Sequence, residues 1–317
     1  MNKLTFLGQR FPTQLANLFL AGMLVFPLTT VAEIGEKTRT LEEITVIARR
    51  VEESLEDVPA SVSVLTEDAL RRTGVDSVEG VVNLTPGVSI VTNTAEIGDT
   101  QINIRGINGA RDAESNVALV VDGILKTNTA QIVQMHGKLV QVEVLKGPQG
   151  AYYGRNAAAG AFVLSTQKPG EEMSIDVSAK AGENSSSGFT AIIEGPISDT
   201  AGVVLYGNHF QSDGHYRNTS PVANAQGATV DALDNDTIGA RLIITPNDNS
   251  EFDIKSRYAK FTGSALSFNP VFNQPGFAAA FGNPMFSEDI NDHKYEFIGN
   301  IKPENTQETK ELSVKGT

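Results

Sequence analysis

The residue types that usually carry catalysis are present, but their spacing does not gather them. The four histidines are His136, His209, His215 and His293. No two of them have the i, i+4 spacing with which a helix offers two imidazoles to one metal ion. The chain has no Cys, so thiolate ligands, thiol nucleophiles and disulfides are all excluded. No Gly-x-Ser-x-Gly elbow occurs, and the glycine-rich run from Gly147 to Gly160 lacks the Gly-Lys-Ser/Thr ending of a phosphate-binding loop. The expectation is a protein that is not an enzyme, with no catalytic residue, no metal site and no cofactor. The pattern with most to offer is a pairing element, Leu41-Glu-Glu-Ile-Thr-Val-Ile-Ala48. Ile44, Val46 and Ala48 share one face of a strand, with Glu43 and Thr45 on the other. An exposed strand of this kind can add to the edge of a partner's sheet, where backbone hydrogen bonds supply affinity. The same alternation also suits the first strand of the domain that follows.

Composition sets the frame for these residues. Apolar residues make up 40% of 317, an ordinary globular share once the 29 glycines are added. The formal charge is −13, which argues against a general nucleic-acid binder, since that function needs a basic face.

The first residues read as an export signal. Lys3 and Arg10 precede an apolar run, Leu15 to Leu28, interrupted by Pro27. The run is too short for a spanning helix, and Thr30-Val31-Ala32 offers a small-residue cleavage site after Ala32. Residues 1–32 are therefore expected to be a signal peptide, and 33–60 a charged segment that carries the pairing element. No later stretch is long and apolar enough for a spanning helix, so membrane attachment would have to use strands.

Residues 61–170 read as a compact α+β domain. Ser61 to Leu65 alternates as a strand, and Thr66 is placed to cap a helix from Glu67 to Arg72 that Gly74 stops. A second short helix follows Asp76 and ends near Leu84. Strands are predicted over Gln101–Arg105, Val117–Val121, Val140–Leu145 and Ala161–Thr166, with a turn at Asp122-Gly123. The small residues after Tyr152-Tyr153 can pack against another backbone.

Beyond residue 170 the texture changes to strict period two. Met173, Ile175, Val177, Ala179 and Ala181 alternate with polar neighbours. Such a strand extends ~30 Å and, tilted by ~45°, covers most of the ~25 Å apolar band of an outer-membrane barrel. Phe189–Gly195 could return, Pro196–Gly202 reads as a short turn, and Val203–Gln211 goes out again with Val204, Tyr206 and Phe210 on one face. The next pair presents Ile238, Ala240, Leu242 and Ile244 opposite Arg241, then Phe252, Ile254 and Tyr258 opposite Asp253, Lys255 and Arg257. Tyr295–Ile301 and Glu311–Val314 complete the predicted strands. Connections at 196–202 and 246–249 are short, whereas those at 212–236 and 262–293 are long and polar, the layout of a transmembrane barrel. The long loop carries Phe268, Phe272, Phe277, Phe281 and Phe286.

Taken together, the residues resemble the TonB-dependent receptors, the outer-membrane active transporters of Gram-negative bacteria. The resemblance rests on Glu42-Glu-Ile-Thr-Val-Ile-Ala48, which is similar to a TonB box, and on Asn83-Leu-Thr-Pro-Gly-Val88, Ile102-Asn-Ile-Arg-Gly-Ile107, Val120-Val-Asp-Gly-Ile124, Val142-Glu-Val-Leu-Lys-Gly-Pro-Gln-Gly150 and Tyr153-Gly-Arg-Asn156, in that order. The chain departs from the family at residues 131–140, which lack the usual acidic residue, and at Phe162-Val-Leu-Ser-Thr-Gln-Lys168. The resemblance implies an α+β plug domain at 61–170, followed at 171–317 by antiparallel transmembrane β-barrel strands of an incomplete barrel. Residues 173–317 leave room for about seven strands, where plugged transporters have about 22, so the chain is expected to be an N-terminal piece that does not transport as it stands.

The resemblance also implies roles. Glu42, Glu43, Ile44, Thr45, Val46, Ile47 and Ala48 would bind TonB, the periplasmic arm of an inner-membrane energising complex. Arg105 and Lys146 match positions where family plugs carry bases that meet the barrel. The substrate class implied is a ferric siderophore, with cobalamin, nickel complexes and oligosaccharides as further family ligands. The expected location is the cell outer membrane, in contact with its lipid. The alternative reading is a periplasmic or surface binding module that uses the plug without transport.

Overall fold

The computed structural model describes residues 45–47, 53–58, 61–75, 77–92, 100–108, 114–126, 128–219, 229, 231–263, 275–282, 287, 296–297 and 305–317. Residues 43–317 form one compact unit. The predicted signal peptide, the loop phenylalanines Phe268, Phe272 and Phe286, and Glu42, Glu43, Ile44 and Ala48 lie outside the described residues.

The chain opens with β1 (Thr45–Val46) paired antiparallel to β2 (Glu53–Ser54), then a 3-10 turn at Leu55–Asp57. β3 (Ser61–Thr66) leads directly into α1 (Glu67–Thr73). The helix starts where the Thr66 hydroxyl accepts from the Ala69 N–H at 3.4 Å, and it stops where Gly74 takes a left-handed φ of 68°. Acids in the first turn and arginines in the last suit the helix dipole. α2 (Val78–Asn83) is capped by Ser77, whose side chain accepts from the Gly80 N–H. It packs beneath a small antiparallel sheet of β4 (Val88–Thr92), β5 (Thr100–Ile104) and β6 (Ile107–Asn108).

The centre of this domain is a five-stranded sheet. Its later members are β7 (Val117–Val121), β8 (Ile124–Lys126), β9 (Leu139–Lys146) and β10 (Gly160–Thr166), with the one-turn helix α3 (Gly150–Tyr153) between the last two. The order is β3-β9-β10-β7-β8, antiparallel except for β10 beside β7. All five residues of β7 are buried because both faces of the sheet are covered, which is why they read as an unbroken apolar run. One face packs Phe162, Leu164, Val142 and Val144 against Val81, Val82 and Ile104. The other packs Val120, Leu145, Ala161 and Val163 against Val46, Val58, Tyr153 and Ala157. The small-residue run has a physical reason here, because a side chain on Gly160 would come within 2.2 Å of the Leu145 carbonyl oxygen.

The long strands form a second sheet, all antiparallel: β11 (Ser174–Ala181), β12 (Ser187–Ser198), β13 (Ala201–Ser212), β15 (Leu233–Asn247), β16 (Ser250–Gly263) and β18 (Asn305–Gly316), in that order. Between them lie β14 (Arg217–Asn218), α4 (Pro275–Phe281) and β17 (Glu296–Phe297). Three sequence expectations need correction. Pro196 continues β12 and faces Gly202 across the ladder, so the turn tightens to the stretch between Ser198 and Ala201, with a register shift that accommodates the missing N–H. The predicted strand at Tyr295–Ile301 is described only at Glu296–Phe297, and that pair runs parallel to β14 in the other long connection instead of joining the sheet. The sheet accordingly has six strands among the described residues, not about seven.

Alternation divides this sheet into two environments. Ile175, Val177, Phe189, Leu205, Ile238, Leu312 and Val314 are exposed on one face. On the other, Thr237, Arg241, Ile243, Asp253, Arg257, Val204 and Tyr206 are buried, because the five-stranded domain sits against them. β15 spans fifteen residues, so it reaches ~50 Å, or ~35 Å when tilted by 45°, which exceeds a ~25 Å apolar band. Its surplus lies at the end nearest the long connections, where Asp234 and Asp236 replace apolar residues on the exposed face.

Candidate functional site

Two arrangements stand out, and both concern how the globular domain is held. The first is a buried polar seat between that domain and the wall of long strands. Its centre is Asp122, in the tight β7–β8 turn, where Asp122 and Gly123 take φ of 49° and 85° as an Asp-Gly hairpin turn requires. The Asp122 carboxylate accepts from the Thr166 N–H at 2.8 Å and from the Thr166 hydroxyl at 2.7 Å. It also accepts from Lys255 of β16.

Arg241 of β15 joins the same cluster. Its Nε and Nη2 grip both oxygens of Asp253 at 3.1 and 2.8 Å. Its Nη1 donates to the Thr166 carbonyl at 2.7 Å and the Gln167 carbonyl at 3.0 Å. A guanidinium suits this role because its planar fork serves a carboxylate on one edge and backbone oxygens on the other.

A second polar cluster lies alongside. Arg257 donates to Glu311 of β18 at 2.9 Å and to the Gln134 side chain of the domain at 2.8 Å, and Lys126 of β8 also contacts Glu311. Toward the rim with short turns, Lys168 pairs with Glu251 at 2.9 Å, and Glu194 accepts from the Gly170 N–H at 2.8 Å.

Burial sets the electrostatics of the domain's side. Burial alone would raise the Asp122 carboxyl, but Lys255 and Arg241 outweigh it and hold Asp122 below the usual carboxylate range. Burial, helped by Arg257 and Lys255, brings Lys126 down to about 8. Glu311 in direct contact favours the ammonium, so Lys126 is charged at neutral pH. His136 is pushed down to about 3 by burial first and Arg257 second, so it is a neutral imidazole whose Nε2–H donates to the Gln131 carbonyl at 2.7 Å.

The second arrangement is the docked N-terminal segment. Val46 is fully buried in the apolar cluster on one face of the five-stranded sheet, whereas Thr45 is exposed. Gln141 donates to the Thr45 carbonyl at 3.0 Å, and Glu143 accepts from the Ile47 N–H at 2.9 Å. The described part of the pairing element is thus already occupied, with β2 as its sheet partner.

The remaining sequence candidates are placed as follows. Lys146 donates to the Pro86 carbonyl at 2.8 Å inside the globular domain, and Arg105 is exposed in the β5–β6 turn with φ 52°. The contacts to the wall described above come from Asp122, Lys126, Gln134, Thr166 and Gln167 instead. Phe277 lies in α4 and Phe281 is exposed at its end. His209, Asp234 and Asp236 come together across β13 and β15, all exposed. Only strand register brings these three together, so sequence spacing alone could not reveal them.

Comparison with known proteins agrees with this geometry. Residues 54–161 match the family TonB-dependent Receptor Plug Domain. Over 155 residues the chain is 30% identical to the vitamin B12 transporter BtuB of Vibrio vulnificus, covering 47% of this chain and 25% of that protein. Over 243 residues it is 27% identical to the pesticin receptor of Yersinia enterocolitica, covering 74% of this chain and 34% of that one. Among solved structures, the ferric yersiniabactin uptake receptor FyuA of Yersinia pestis shares the fold at a TM-score of 0.58 and 22% identity, over 64% of this chain and 32% of that one. The ferripyoverdine receptor of the Pseudomonas aeruginosa outer membrane does so at 0.57 and 17%, over 69% and 27%.

The globular domain is a TonB-dependent receptor plug domain, and the chain as a whole is similar to the TonB-dependent receptors. Its place is the cell outer membrane. The chain spans about a quarter to a third of the length of the curated relatives it matches.

Proposed function

We propose that the chain supplies the plug, the plug's seat and the energising handle of a receptor for the active uptake of a scarce ligand, with a ferric siderophore as the substrate class. One observation carries this reading. The plug is pinned to the polar face of a membrane-type wall by Asp122, Arg241 and Lys255, while the described part of a TonB-box-like segment is docked on the plug itself. A body that blocks a lumen must be held against the wall, yet it must also be movable by a pull from outside. The siderophore class draws support from the receptors for ferric yersiniabactin and ferripyoverdine, and the vitamin B12 transporter keeps cobalamin as the second candidate.

In this reading residues 61–170 are the plug and 171–317 the first wall strands. Glu42 to Ala48 are offered to TonB, which pulls on them from the periplasm. Strand addition suits a handle, because main-chain pairing resists force without a deep pocket. The chain takes no part in covalent chemistry. Closing the wall needs further strands, since an open edge in lipid leaves backbone groups unpaired at several kcal/mol each. The test is deletion of Glu42 to Ala48 in a receptor with a closed barrel. Energised uptake should be lost and ligand binding kept, whereas unchanged uptake would refute the handle.

A further inference from the structure

On the face of the plug sheet that receives Val46, strands β3, β7, β9 and β10 present one ionisable side chain, Glu143. It is fully buried, with Leu145, Ala161 and Val163 in the surrounding apolar cluster. Its Oε1 accepts from the Ile47 N–H at 2.9 Å and from the Gln141 side chain at 2.8 Å. Its Oε2 is buried and, among the described residues, has no hydrogen-bond partner. Gln141, two residues earlier and on the same face, donates to the Thr45 carbonyl. The two side chains therefore read one backbone carbonyl and one backbone N–H of an extended segment, and Val46 fills the apolar hole between them.

We propose that Glu143 is the positioning residue that latches residues 45–47 onto the plug, and that docking takes up one proton on its free oxygen. A carboxylate with an unpartnered buried oxygen carries the cost of an uncompensated charge, whereas the neutral carboxylic acid there carries only the smaller cost of one O–H without an acceptor. Burial correspondingly raises this carboxyl above its ordinary range, with the Ile47 and Gln141 hydrogen bonds only partly opposing it. Among the described residues no cation offsets it; Arg49 and Arg50 lie outside them. Among the described residues, titratable groups on the elements packed against this face are Glu53 in β2, Glu56 and Asp57 in the 3-10 turn and Tyr153 in α3, and none of them carries positive charge.

The sign follows from linkage. The docked state has the higher carboxyl pKa, so it binds the proton more tightly. Docking is strongest below the ordinary pKa of an exposed Glu and weakens as pH rises through the docked value. The segment would then be held in acid and released more readily toward neutral pH. This deepens the handle reading, but it can be tested without TonB.

The chain has no Cys, so a nitroxide on Thr45→Cys reports docking, and one on Ser89→Cys, exposed on β4, reports the integrity of the plug. The immobile-to-mobile ratio at residue 45 should fall with rising pH, by up to about tenfold per pH unit within the titration window. Glu143→Gln should stay immobile with a flat profile, and Glu143→Ala should be mobile throughout, while the label at residue 89 stays unchanged in both. A Glu143→Gln profile that titrates like the parent, or a Glu143→Ala label as immobile as the parent, overturns the latch. Because no TonB is present, either result is independent of the deletion test for the handle.

Discussion

Arg241 and Thr166 lie 75 residues apart, yet one guanidinium nitrogen of Arg241 donates to both the carbonyl and the hydroxyl of Thr166, at 2.7 and 3.0 Å. Thr166 ends the last strand of the plug sheet, and Arg241 belongs to the wall. This contact fixes where the plug sheet stops against the barrel interior. It also places the Asp122 carboxylate, which holds the other side of Thr166, within 3.7 Å of the same guanidinium.

Breaking this seat from the plug side should be expensive. Asp122→Asn keeps the shape but leaves Lys255 without its plug partner. Removing one member of a buried ion pair costs about 3–5 kcal/mol, and the retained hydrogen bonds to Thr166 put this variant near the lower figure. Lys168→Ala removes an exposed pair with Glu251 and should cost less than about 1 kcal/mol. Denaturant unfolding of the two variants side by side checks the contrast. Asp122 has a depressed carboxyl, so its contribution is complete above about pH 4 and is lost as pH falls through the folded value. The seat should hold between pH 8 and 5 and loosen only in stronger acid.

His136 should behave in the opposite way to a pH sensor. With its folded pKa at about 3, the ring resonances stay flat between pH 5 and 8 in a histidine NMR titration. Its depressed value means that the unfolded chain takes up a proton first as pH falls below about 6.5. Plug stability is therefore lost at up to about 1.4 kcal/mol per pH unit from there downward. His136→Gln should remove that slope.

Gly239 tests the fit between wall and plug. A side chain there would meet the buried Tyr206 ring at 2.2 Å. Gly239→Ala must push Tyr206 toward the plug, and overpacking of this kind costs about 1–3 kcal/mol. A lowered melting temperature with wild-type membrane insertion is the expected result.

Much of this was legible in the sequence, because local physics governs it. The cap and stop of α1 at Thr66 and Gly74 follow from short-range rules, and so does the alternation that sends Ile238 outward and Arg241 inward. Other features were not legible. Asp122, Lys126 and Gln134 meet residues more than a hundred positions away, and residue type alone does not name such partners. Arg105 and Lys146 were picked by resemblance, and Lys146 donates to the Pro86 carbonyl within the plug. Val204 and Tyr206 looked like one apolar face of a strand, but burial shows that this face meets the plug. Glu143 did leave a trace, as a lone acid inside Val142-Glu-Val-Leu145, but only the folded partner shows what it holds.

The account depends most on which way the wall's side chains face. Single fluorophores on Ile175→Cys, Val177→Cys and Ile238→Cys, in the native membrane or in reconstituted vesicles, can be challenged with a quencher attached to lipid acyl chains and with a water-soluble one. Strong quenching by the lipid-borne group and weak quenching by the soluble one is the predicted result, with the reverse ranking at Thr45→Cys on the docked N-terminal segment. Equal protection of Ile175, Val177 and Ile238 from both quenchers, as in the interior of a soluble protein, would contradict it.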